Sequence, residues 1–221
     1  MNEGQWKTVD EYLGSLLVPD DEALKNALKT SAEAGLPPIQ VSPVQGKLLN
    51  LLCRSIKARR ILEMGTLGAY STIWLARALE AGGQVITLEA EPLHAKVAQA
   101  NIRAANLDSV VDLRIGRALD TLPVLVSEKA GPFDFIFIDA DKVNTAAYFQ
   151  WSLKLSRPGT IIVVDNVVRK GAVADPSSDD PAVQAMRRFF SELAAERRVS
   201  ATALQMVGAK GYDGFALALV L

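Results

Sequence analysis

The chain of 221 residues carries 24 Lys and Arg against 25 Asp and Glu, a net charge of −1, with one His and one Cys. At roughly 100–200 residues per domain this is one large domain or a domain with an appendage. The 49% hydrophobic and 22% charged residues are globular values, and the balanced charge argues against a broad surface that tracks nucleic acid. One Cys cannot close an internal disulfide, and one Cys with one His cannot build a zinc site of the usual ligand set. No basic start followed by an apolar run opens the chain, and no stretch of about 18 apolar residues could span a membrane. The expectation is a cytoplasmic protein without a membrane segment.

In chain order, residues 1–58 read as a helical N-terminal extension. Amphipathic stretches lie near Val9–Leu17 and Glu22–Ala34, Pro37-Pro38 marks a loop, and Val44–Ile56 follows Pro43. Residues 59–221 then alternate apolar runs with helical patterns. The spacing predicts strands at Arg60–Met64, Gln84–Leu88, Val110–Ile115, Phe133–Ile138 and Thr160–Val164. Between them fall helices at Tyr70–Ala81, from Pro92 to Ala104, around Asp120–Pro123, and over Asn144–Leu155. A loop spans Asp175–Pro181 and a helix Ala182–Ala195. Val199–Val207 and Gly214–Val220 are two more strand-like runs. The link between them is too short for a crossover helix, so they must pair antiparallel. The expected fold is α/β: a Rossmann-like, seven-stranded, mostly parallel sheet with helices on both faces and a C-terminal antiparallel hairpin.

The chemistry falls at strand ends. After the first strand comes Glu63-Met64-Gly65-Thr66-Leu67-Gly68-Ala69-Tyr70-Ser71, a glycine-containing turn into a helix, where a ligand can approach the backbone. It is not G-x-G-x-x-G, and the acid Glu63 would repel a pyrophosphate, which disfavours an NAD oxidoreductase. Glu89 ends the second strand, where a carboxylate can accept one hydrogen bond per oxygen from a ribose diol. Together these suit an adenosine ligand without phosphates. Asp139, Asp165 and Asn166 follow the fourth and fifth strands. Two carboxylates and an amide carbonyl are hard oxygen donors, suited to Mg²⁺, Mn²⁺ or Ca²⁺. Lys142, three residues after Asp139, would sit near that cation, which lowers its pKa and fits it to accept a proton. His94 reads as a surface residue, Cys53 as a buried small hydrophobe and Trp74 as core.

With these residues in view, the chain resembles the cation-dependent, S-adenosylmethionine-using O-methyltransferases of the caffeoyl-CoA and catechol type, most of all the small bacterial ones. The segments EMGTLGAYS (63–71), ITLEAE (86–91), FIFIDADK (135–142), VVDNVVRKG (163–171) and GYDG (211–214) carry the resemblance, and VSPVQGKLL (41–49) fits too. It covers the chain from about Tyr12 onward, as a single methyltransferase domain. The resemblance implies that Asp139, Asp165 and Asn166 are metal ligands and that Lys142 is the general base. It implies that Glu89, with Ala90 beside it, holds the ribose, and that Glu63, Gly65, Leu67, Tyr70 and Ser71 surround the methionine part of the cofactor. Val41 and Ser42 would close over the cofactor, Gly116 and Ala118 would lie beside the adenine, and Asp141 would take a further cofactor-side position. A homodimer is implied as well.

Three positions depart from the family pattern. Ala69 stands where many relatives have glycine, and Gly68 is expected to absorb the turn instead. Arg169 replaces a tryptophan of plant relatives near the substrate, and Thr145 replaces a tyrosine. The implied reaction is methyl transfer from S-adenosylmethionine to a small phenolic acceptor, one hydroxyl of a vicinal diphenol of catechol, flavonoid or caffeoyl type. Mg²⁺ would lower the pKa of that hydroxyl, and Lys142 would take the proton. Two alternatives stand beside it: a methyltransferase of tRNA wobble uridine, for which Arg187-Arg188 and Arg197-Arg198 are candidate patches, and a non-catalytic module that binds an adenosine-type ligand.

Overall fold

The computed structural model describes residues 2–221. Three helices come first: α1 (Glu3–Leu17), α2 (Glu22–Glu33) and α3 (Pro43–Ser55). Next are β1 (Arg60–Met64), α4 (Tyr70–Ala76), β2 (Gln84–Glu89), α5 (Pro92–Ala104), β3 (Val111–Ile115), α6 (Ala118–Ser127) and β4 (Phe135–Ile138). After them run α7 (Thr145–Lys154), β5 (Ile161–Asp165), α8 (Pro181–Ala195), β6 (Val199–Gly208) and β7 (Gly211–Val220). Two 3₁₀ turns, Lys142–Asn144 and Arg169–Ala174, follow β4 and β5.

The strands form one sheet in the order β3-β2-β1-β4-β5-β7-β6. Strands β1 to β5 are parallel, and β7 joins both β5 and β6 antiparallel. This is the expected α/β architecture. Chain order reverses at β1, which has β2 on one side and β4 on the other. In open parallel sheets ligands bind outside the carboxyl ends of the strands at such a switch point.

Period-two alternation explains why both faces are buried. Leu62, Met64, Ile136, Ile138, Ile162 and Val164 belong to one apolar cluster, which takes in Leu122 and Leu125 of α6, Phe149 of α7 and Phe189 of α8. Ile61, Val85, Phe135, Phe137 and Val163 belong to the other, with Leu49 and Cys53 of α3, Ile73 and Trp74 of α4, and Ala98 of α5. The α2 residues Leu24 and Ala27 join this second cluster, so α2 and α3 help build the core while α1 buries no residue. Gly46 lets α3 come close to α4, since a Cβ there would lie 2.4 Å from the Trp74 ring.

Two boundaries differ from expectation. Helix α4 ends at Ala76 rather than near Ala81. Beyond it the Glu80 amide donates to the Ala58 carbonyl at 3.0 Å, so a tertiary contact overrides the helix propensity of Leu-Ala-Arg-Ala-Leu. The hairpin is also tighter than the turn-rich 208–213 segment suggested. Gly208 pairs with Gly211, leaving a two-residue turn, and the Asp10 carboxylate of α1 accepts the Ala209 amide at 2.8 Å.

Candidate active site

The crevice opens where β1 and β4 leave the sheet. Met64 pairs with Ile138, the Asp139 amide donates to the Met64 carbonyl at 2.9 Å, and the Gly65 amide donates to the Leu88 carbonyl at 3.0 Å. Gly65 has φ +97°, and a Cβ added there would lie 2.1 Å from the Asp139 carbonyl oxygen. Only glycine lets the two strand tips come this close. Replacing Gly65 by Ala should therefore lower stability by about 2–5 kcal/mol, combining a forbidden φ with overpacking against backbone. Urea unfolding checks this, and a midpoint equal to that of the parent protein would contradict it.

The turn that follows does not use Gly68 to absorb the bend, as expected from the sequence. Leu67 (φ 50°) and Ala69 (φ 67°) themselves adopt left-handed conformations. Glu89 holds the turn in place: its Oε2 accepts the Thr66 amide at 3.2 Å and the Leu67 amide at 2.7 Å, and its Oε1 accepts the Glu91 amide at 2.9 Å. With two donors on Oε2 and one on Oε1, the free acceptor capacity lies mainly on Oε1. His94 is not the free surface residue the sequence suggested, because its Nδ1 lies 3.5 Å from Glu89 Oε1 and it borders the pocket.

Glu63 lies near the end of β1. Its side chain is fully buried beneath the crevice and does not line it. Ser71 Oγ donates to Oε1 at 2.6 Å, and Thr87 Oγ1 (2.7 Å) and Thr72 Oγ1 donate to Oε2. Thr66 in turn donates to Thr87 at 2.6 Å, since the one Thr87 hydroxyl proton is already used. Burial, which outweighs these hydrogen bonds, pushes the Glu63 pKa up to about 7. Glu63 thus fixes the start of α4 through the Ser71 and Thr72 hydroxyls.

A pocket of about 750 Å³ fills the switch point, a size suited to a small ligand or cofactor. It gathers Val41, Gly65, Leu67, Tyr70, Ser71, Glu89, Ala90, Gly116, Ala118, Asp139, Asp141, Lys142 and Asn166. Ser42 and Asp165 lie apart from it, in an adjoining smaller cleft that shares Asn166. Ser42 caps α3, with its Oγ accepting the Gln45 amide at 3.3 Å. Asp141 spends its carboxylate on its own turn: Oδ1 accepts from the Asn144 side chain at 2.7 Å and Oδ2 from Tyr148. Burial and that carboxylate both push the Tyr148 phenol pKa up.

Ile138 and Val164 are partners in the β4–β5 ladder, so Asp139 and Asp165 follow adjacent positions at its end. Asp165 is buried, and its pKa is pushed up to about 7, first by that burial and then by the charge of Asp139. Two carboxylates at adjacent positions, one of them buried, call for a positive partner. Lys142 Nζ donates to Asp139 Oδ1 at 2.8 Å, and the Asn166 amide donates to Asp165 Oδ1 at 2.9 Å. Among the described residues no three His, Cys, Asp or Glu side chains form a metal group. The donors here are two carboxylates and the Asn166 side chain, whose chemistry suits a hard divalent cation.

The sequence reading missed Gln45, whose Nε2 donates to Asp165 Oδ2 at 2.8 Å from α3, 120 residues away. No local pattern announces that contact. Tyr148 has no periodic signal either, because Asp141 caps the 3₁₀ turn and Tyr148 lies in α7 beyond it.

Comparison with known proteins decides the family. The O-methyltransferase family pattern matches residues 15–219. The chain belongs to the O-methyltransferase family. It is 57% identical over 220 residues to a catechol O-methyltransferase of Niastella koreensis, covering all of both chains. Its fold matches an O-methyltransferase from Bacillus cereus in complex with SAH at a TM-score of 0.98, with 57% identity and full coverage of both chains. It also matches the O-methyltransferase TomG of Streptomyces achromogenes, which is involved in tomaymycin synthesis and was solved with SAM (TM-score 0.96, 51% identity, 100% and 99% coverage). As an O-methyltransferase it is an enzyme that places a methyl group on oxygen, and the crevice at the β1/β4 switch point is its candidate active site.

Proposed function

We propose that this O-methyltransferase uses S-adenosylmethionine and a divalent cation, Mg²⁺ first, to methylate one hydroxyl of a vicinal diphenol. The observation that carries the reading is the placing of two acids at adjacent ends of β4 and β5: Asp139 lines the pocket that also holds Glu89, and the buried Asp165 lies in the adjoining cleft. When bound, the cofactor supplies an electrophilic methyl group, and the cation supplies charge that makes a coordinated hydroxyl more acidic. Asp139, Asp165 and Asn166 would hold the cation. Gln45 orients Asp165 for this task. Glu89 would accept from the ribose, and the Gly65 turn gives backbone access for the rest of the cofactor. Lys142 would accept the hydroxyl proton at Nζ. The walls exclude water and hold the reactants together, which replaces a bimolecular encounter by an assembled complex.

The names and ligands of the similar proteins support this: a catechol O-methyltransferase, a complex with SAH and a complex with SAM. The tRNA alternative gains little, because Arg198 is paired with Glu196 at 2.7 Å and Arg187 and Arg188 line a separate groove. A methyl-transfer assay over catechol, a flavonoid and a caffeoyl ester, with Mg²⁺ or with a chelator and beside a tRNA, tests the proposal. Methylation of a diphenol only with the metal supports it, and methylation of the tRNA alone would overturn it.

The cytoplasmic location and the homodimer expected from the sequence belong to the same proposal. No helix among the described residues is long and apolar enough to cross a membrane. On α1, Val9, Tyr12, Leu16 and Leu17 are at least half exposed, next to the open edge strand β6 with Leu204. That apolar face suits a second copy of the chain. Sedimentation should give twice the 23.8 kDa of the chain, and a monomer at micromolar concentration would contradict it.

A further inference from the structure

Arg169 has no task inside the protein. It lines the pocket together with Lys142, Asn144, Tyr148 and Asn166, and it follows β5, three places in the sheet from β2, which ends in Glu89. Its Nε is buried and has no hydrogen-bond partner, and Arg169 makes no ion pair among the described residues. Arg77, Arg114, Arg157 and Arg198, by contrast, each meet a carboxylate. Asp213 does not neutralise it. Its Oδ1 is taken by three backbone amides, those of Val168 (2.9 Å), Arg169 (3.0 Å) and Gly214 (2.9 Å).

The backbone is held to present this side chain. Arg169 (φ 54°) and Lys170 (φ 55°) both sit in the left-handed region, where residues with a Cβ are rare. The Asp213 clamp and the Gly171 amide on the Val168 carbonyl at 3.1 Å keep the turn closed. A strained turn, clamped from β7, thus carries a guanidinium with a spare buried donor to the acceptor side of the pocket. A planar, permanently charged donor of this kind is matched by a planar anion, which it binds through paired hydrogen bonds.

We propose that Arg169 is a specificity residue of the acceptor site and selects diphenols that carry a carboxylate. The inference rests on the proposed diphenol methylation and narrows it. The hydroxyls of such an acceptor face Lys142 and the two acids, and its carboxylate faces Arg169. The guanidinium at one end of the acceptor site and the metal-binding acids at the other fix the orientation of the ring, and Arg169 disfavours neutral or cationic catechols.

The test compares protocatechuate with its methyl ester as methyl acceptors, in the parent enzyme and in Arg169→Leu and Arg169→Lys. The parent should favour the acid in kcat/KM. In Arg169→Leu the acid-to-ester ratio should fall about 10–100-fold, mostly through KM for the acid, as expected for a charged hydrogen-bonded pair. Arg169→Lys should restore part of that ratio, and it serves as the test variant if the leucine protein does not fold. A parent enzyme that favours the ester, or a ratio that moves less than about threefold in the variants, would overturn the assignment, since a merely structural role affects both acceptors alike. If neither compound is methylated, the diphenol reading itself fails. The preference of Arg169 is then read by calorimetry of the two compounds against the protein with S-adenosylhomocysteine and Mg²⁺. Tighter binding of the acid that is lost in Arg169→Leu supports the assignment, and equal binding overturns it.

Discussion

Replacing Lys142 by Ala should lower kcat by about 10²–10⁴-fold, the contribution of a positioned general base, while S-adenosylmethionine binds as before. The argument is positional. Lys142 stands on the 3₁₀ turn after β4, its side chain is 13% exposed, and its Nζ is 2.8 Å from Asp139 Oδ1. The one His of the chain follows β2 and lies beside Glu89, with its Nδ1 3.5 Å from Oε1. Tyr148 is occupied by Asp141. Lys142→Arg separates proton acceptance from charge, because a guanidinium keeps the charge but does not release its proton. The arginine variant should be about as slow as the alanine variant. Single-turnover rates, with cofactor affinity measured by calorimetry, decide the matter, and a near-normal rate in Lys142→Arg would show that charge alone suffices.

Replacing Asp165 by Asn should abolish metal-dependent turnover and yet stabilise the metal-free protein at alkaline pH. Burial and the neighbouring Asp139 raise the Asp165 pKa from 3.8 to about 7 in the folded chain. The folded state therefore holds this proton more tightly than the unfolded state. The associated stability is fully present below about pH 4, and it is lost as pH rises through about 7. At pH 8 the charged Asp165 costs on the order of a few kcal/mol, which the amide removes. Glu63, raised to about 7 by its own burial, adds a loss of the same sign that the variant keeps. Thermal melts from pH 5 to pH 8 should show the metal-free parent losing stability across this window and Asp165→Asn losing less. With Mg²⁺ present the parent should regain the difference at pH 8 and the variant should not. Parallel melting curves in all four conditions would refute the role given to Asp165.

The fold was legible wherever a run of apolar residues had to be buried on two faces. The middle strands β1, β2, β4 and β5 lie within two residues of their expected bounds for that reason. Legibility failed where a distant partner decides the backbone. Ala58 draws the Glu80 amide away from α4, and Asp10 braces a two-residue turn between Gly208 and Gly211. The 3₁₀ turn at Arg169–Ala174 left no periodic signal at all, since its shape comes from Asp213 on β7.

The site divides along the same line. Strand order alone brings Gly65, Glu89, Asp139, Asp165 and Asn166 to one end of the sheet, so their convergence could be read from βα alternation. The occupation of each carboxylate could not. Glu63 accepts from three hydroxyls, because alternation along β1 turns it toward the second apolar cluster. Gln45 reaches Asp165 from α3, whose neighbouring Gly46 packs closely on Trp74.

The central claim is that Asp139, Asp165 and Asn166 hold a divalent cation on which methyl transfer depends. The most direct test is mass spectrometry of the catechol product formed by chelator-treated protein, before and after Mg²⁺ is restored. The expected result is no methylated catechol with the chelator and full recovery with Mg²⁺. Undiminished product in the chelator would contradict the claim.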